Sequence, residues 1–196
     1  MMLIERTAVP DAALPVAELR AHLRLGTGFS DVGAEDAALL AYLRAALAAI
    51  EGRTAKVLMA RAFTVTLEHW RGDGPPLPVA PVTAVTELRL IDGAGGTSVL
   101  GPERYRLAPD GMRPRVIALG WQEPGGAGAA VEIDFTAGFG TGWSDVPADL
   151  RQAVLLLAAQ YYELRHDGGA ERAAMPFGVI ALIERWRTVR VLGGRG

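Results

Sequence analysis

Residues 146–187 read VPADLRQAVLLLAAQYYELRHDGGAERAAMPFGVIALIERWR, and their pattern decides the fold. Leu150, Val154, Leu157, Tyr161 and Leu164 recur at alternating spacings of four and three, which is one stripe of an α-helix. Pro147 suits a first helical turn, and Ser144 or Asp145 can cap the N–H groups ahead of it. A polar loop follows, then a shorter helix with the stripe Val179, Ile183 and Trp186. A second apolar stripe on the long helix, Leu155, Ala159 and Tyr162, leaves two readings open. Either the helix is central to a single-chain core, or its second face belongs to another subunit.

Upstream, residues 1–14 read as an extended arm. Residues 15–25 (PVAELRAHLRL) predict a short helix. Residues 34–51 predict a second one, with Leu40, Leu43, Leu47 and Ile50 as its stripe and Gly52 ending it. Then the period changes. Phe63, Val65 and Leu67 alternate with Thr64, Thr66 and Glu68, the signature of a half-buried strand. Further strands are predicted over 85–91, 97–100, 105–107, 115–119 and 130–136, separated by Pro/Gly turns, with a hairpin at Asp92–Gly96. This makes about six strands between two helical segments.

Composition narrows the function classes. The chain has 196 residues and is 50% hydrophobic, enough for a real core. Its net charge of −2 argues against a protein whose task is gripping phosphate backbones. Without cysteine there are no disulfides and no thiolate metal sites. No apolar run is long enough for a membrane span, and MMLIERTAVP does not have the layout of a signal peptide. Lys56 is the only lysine; every other basic residue is arginine.

Chemistry-bearing patterns are sparse. Glu163 and His166 form one Glu-x-x-His pair, and a metal site on a bundle needs two. The run Gly138, Gly140, Gly142 lies between a strand and a helix, as phosphate loops do, yet it has neither Gly-Lys-Ser/Thr nor G-x-G-x-x-G spacing. It reads as a tight turn. The serines and carboxylates show no catalytic arrangement, so no catalytic, cofactor or metal residue is assigned. Trp70, Trp121 and Trp143 read as packing residues, while Trp186, between Arg185 and Arg187, suits either an interface anchor or the core.

The ordered set AELRAHLRL (17–25), AALAAIEGRT (45–54), LPVAPVTAVTELRLIDGAGG (77–96), YRLAP (105–109), VEIDFTAGFG (131–140), VPADLRQAVLLLAAQYYELR (146–165) and PFGVIALIERWR (176–187) covers most of the chain. In that order it resembles the head–tail connector (adaptor) proteins of tailed phages and phage-like particles, in the larger subfamily with a β insertion. The resemblance implies an α+β fold: a helical connector core of about four helices with a small antiparallel β domain inserted between helix 2 and helix 3. It divides the chain into helical parts 1–55 and 141–188, a β-rich insertion 56–140 and a tail 189–196. It implies a non-enzymatic ring, expected dodecameric, beneath the portal of a phage, prophage-like particle or gene transfer agent, assembled in the bacterial cytoplasm. Portal, stopper and tail proteins are the expected partners, with DNA passing through the lumen unread. On this reading Arg185, Trp186, Arg187, Arg190 and Arg195 face the portal, and Leu155, Ala159 and Tyr162 face a neighbouring subunit. The alternatives are a small nucleotide- or phosphate-binding enzyme using the Gly138–Gly142 loop, and a DNA-binding module, which would need a basic face.

Overall fold

The computed structural model describes residues 1–25, 32–70, 74–123, 125–166 and 175–187. Among the described residues the fold is α+β, with four α-helices and antiparallel sheet. Two compact units are present. One combines Met1–Pro10 with Val57–Asp145, the other Asp11–Lys56 with Val146–Gly196.

The first unit is built on a five-stranded sheet in the order β1-β2-β7-β3-β4, with a separate β5–β6 hairpin. The strands are β1 (Met2–Glu5), β2 (Arg61–Leu67), β3 (Val82–Ile91), β4 (Thr97–Val99), β5 (Tyr105–Ala108), β6 (Arg115–Ala118) and β7 (Ala130–Ala137). Residues 2–5, read from the sequence as part of an arm, are extended but paired on β2. Period-two alternation sorts β2 and β7 into an apolar and a polar face. Phe63, Val65, Val131, Ile133 and Phe135 join Leu88 and Val116 in the core. Phe63 and Phe135 are direct cross-strand partners and stack at 5.7 Å.

The polar face is paired strand by strand. Thr64 lies opposite Asp134, and Thr66 opposite Glu132. Arg89 on β3 bridges Asp134 at 2.8 Å and Glu132 at 3.2 Å, and also pairs with Glu87. Burial alone would lower the Arg89 pKa, but its bonds to Asp134 and Glu87 raise it well above the usual arginine value. Arg6 donates from Nε to Thr64 Oγ1 at 2.8 Å, which ties the segment after β1 to the same face.

The second unit contains α1 (Val16–His22), α2 (Val32–Thr54), α3 (Ala148–Glu163) and α4 (Phe177–Ile183). The other three helices all pack on α3. Leu150, Val154 and Leu157 of the predicted stripe are at most 1% exposed, while Tyr161 and Leu164 at its end are only half-buried. Pro147 is the N-cap of α3, not a first-turn residue, and no side chain caps the helix: Asp145 instead accepts from Gly142 N–H. The end of α2 also differs from the sequence expectation. The helix runs through Gly52 to Thr54, and the left-handed residue beyond it is Ala55, at φ 55°. Thr54 is fully buried, donates from Oγ1 to Ile50 O and accepts from Lys56 N–H. Burial of Thr54 with its two hydrogen bonds outweighs the weak helix preference of glycine.

Candidate functional site

The sequence placed its candidate surface after α4, and the structure shows how that segment is held. Residues Glu184–Trp186 form a 3₁₀ turn. Arg185 Nε and Trp186 Nε1 both donate to Asp149 Oδ2, each at 2.7 Å, in the first turn of α3. Asp149 Oδ1 accepts from Leu150 N–H at 3.0 Å. The Arg185 guanidinium lies 4.7 Å from the Trp186 ring centroid. Burial alone would raise the Asp149 pKa; the bonds from Trp186, Arg185 and the Leu150 N–H outweigh it and hold the carboxyl below its ordinary value. Arg187 pairs with Glu184 at 3.1 Å. Trp186 is thus half-buried and bonded within its own chain, while Arg185 and Arg187 stay exposed. Arg190 and Arg195 lie outside the described residues.

The fold divides the second stripe of α3, Leu155, Ala159 and Tyr162. Leu155 is 9% exposed and Ala159 6%, so both are already buried by the chain itself. Only Tyr162 keeps an exposed portion. Its ring meets Tyr42 of α2 edge-on at 6.2 Å, and Arg165 stacks 4.0 Å from its centroid. Beside this pair lies an apolar groove of about 370 Å³ lined by Tyr42, Ala45, Gln160, Tyr161 and Leu164. Gln160 Oε1 is buried with no hydrogen-bond partner among the described residues.

Sequence reading missed Asp149 and the groove. Asp149 meets Arg185 and Trp186 across 36 and 37 residues, and no local signal marks such a pairing. The groove joins α2 to α3, so it exists only once they pack. Phe177 was legible in principle, because it falls off the Val179, Ile183 stripe and so had to point elsewhere.

The glycine loop is not built to receive phosphate. Gly138 N–H donates to Pro81 O and Phe139 N–H to Leu58 O, while Gly140 O accepts from Ala60 N–H. Gly142 N–H goes to the Asp145 carboxylate, a charge that would repel an anion. Three of the donors a phosphate would need are therefore already in use. Among the described residues no three His, Asp or Glu side chains are grouped to hold a metal. No described helix is long and apolar enough to cross a membrane.

No protein-family model matches the chain, and no curated protein does. Solved structures do. A chain in the neck of an empty gene transfer agent (GTA) particle, computed with C6 symmetry, is 66% identical with a TM-score of 0.86. One in the virion of a native GTA particle is 65% identical with a TM-score of 0.85. One in the neck of the native particle, computed with C12 symmetry, is 61% identical with a TM-score of 0.83. In all three the similarity covers 100% of both chains.

Proposed function

The chain belongs to the family of GTA neck proteins, as the connector resemblance of its sequence anticipated, and from that premise we propose that it is the head–tail adaptor subunit. It is a non-enzymatic structural component of a phage-like particle, with its place at the neck. The finer reading is a closed ring of twelve copies beneath the portal, joining the head to stopper and tail and letting DNA pass. In this reading the strands between α2 and α3 are an insertion in a helical connector core. The observation that carries it is full-length identity of 61–66% to chains in necks computed with C6 and C12 symmetry.

The electrostatics suit a conduit. A net charge of −2, with the one lysine buried, gives little attraction to a sliding phosphate backbone. For the portal side, Asp149 holds Arg185 and Trp186 at the root of the C-terminal segment. In this reading Arg187, with Arg190 and Arg195 of the sequence that follows, contacts the portal. Affinity purification of the tagged full-length chain from particle-producing cells, read by mass spectrometry, tests the role. Recovery of portal, stopper or tail proteins is expected; recovery of the chain with no particle protein would refute it.

A further inference from the structure

Phe177, at the first turn of α4, is 84% exposed, more than any other large apolar side chain among the described residues. Val179 and Ile183 of the same helix are fully buried, so Phe177 lies outside the face that α4 packs inward. A lone exposed apolar side chain is common on protein surfaces, but this ring is turned away from its own core and is accessible to a neighbouring groove. The same helical unit carries the groove between α2 and α3. Two tyrosines, an alanine and a leucine line it, and at about 370 Å³ it has room for one aromatic side chain.

The neighbour that both features require is a second copy. Solved relatives lie in necks with cyclic symmetry. A cyclic assembly joins two unlike patches, one from each side of every subunit, so that each contact leaves the opposite patch free for the next copy. Knob and groove on different helices of one unit meet that requirement; a single self-complementary patch would not. We propose that Phe177 of one copy inserts into the Tyr42, Ala45, Gln160, Tyr161, Leu164 groove of the next, forming the repeated contact of the ring. Tyr162 meets the same Tyr42 edge-on beside the groove.

This inference rests on the ring reading, and one experiment separates the two. A photo-crosslinking benzoylphenylalanine replaces Phe177 in the full chain, in cells making particles, and purified particles are irradiated. A covalent dimer of the chain is expected, its adduct on the peptide carrying Tyr42 and Ala45 or on that carrying Tyr161 and Leu164. Adducts within one chain, on another particle protein, or elsewhere on a second copy overturn the Phe177 contact and leave the ring standing. Particles holding a single copy of the wild-type chain would overturn both. As a companion, Phe177→Ala should fold with an unchanged melting temperature, because the side chain is exposed, yet enter particles at least tenfold less well. Undiminished incorporation of Phe177→Ala would also overturn the contact.

Discussion

Asp149 shows how one carboxylate can position a whole terminus. Its partners Arg185 and Trp186 come from the 3₁₀ turn that follows α4. Arg185 is largely exposed and contributes little by itself; the half-buried indole bond matters more. Asp149→Ala should cost about 1–2 kcal/mol in chemical denaturation. The pH dependence has a definite sign. Because the folded-state pKa lies below the unfolded one, near 3.9, the contribution is complete above that value and disappears as pH falls through the lower folded value. The Trp186 indole N–H resonance should therefore hold steady from neutral pH down to about pH 4 and shift only in stronger acid. Gly138 is a second such residue. At φ 136° a side chain is strained, and an added Cβ would lie 2.5 Å from the Ala60 backbone. Gly138→Ala is expected to lose at least about 2 kcal/mol, measured by thermal or urea unfolding.

At the scale of elements, the end of α2 separates what a local rule predicts from what packing allows. A glycine after a periodic stretch normally stops a helix in the left-handed conformation, where alanine would be strained. Here Gly52 is helical and nothing lies within 4 Å of the place its Cβ would occupy. Gly52→Ala should therefore stabilise the protein by about 0.5–1 kcal/mol. A loss of stability on calorimetry would mean that the helix ends where the sequence alone suggests. The strand β1 makes a different point. Met2, Leu3 and Ile4 are 56%, 37% and 37% exposed on a sheet edge, which natural proteins rarely leave open.

For the whole molecule, the full-length kinship with neck chains points to a structural component of a particle. The proposed division of labour places ring contacts on α2, α3 and α4 and portal contacts on the C-terminal segment. Removing residues 188–196 leaves the Asp149 contacts with Arg185 and Trp186 in place, so the truncated chain should melt at the same temperature as the full one. It should nonetheless fail to join portal-bearing particles. Normal incorporation, scored by immunoblot of purified particles, would remove the tail from the portal interface.

The sequence by itself determined the periodicities, and with them the four helices and the strands between α2 and α3. A 3.6-residue stripe at Leu150, Val154 and Leu157, or a two-residue alternation at Phe63, Val65 and Leu67, is written into neighbouring residues and needs no partner to be read. The ordered motifs likewise pointed to the connector family. Tertiary structure alone decided which apolar faces the chain keeps for itself. Leu155 and Ala159 read like Tyr162 along the helix, but the packing of α1, α2 and α4 on α3 buries the first two and leaves the third at a groove. It decided, too, that the Gly138 and Phe139 N–H groups serve Pro81 and Leu58, and that Trp186 meets Asp149. Those outcomes depend on groups brought together from tens of residues apart, and no local spacing encodes them.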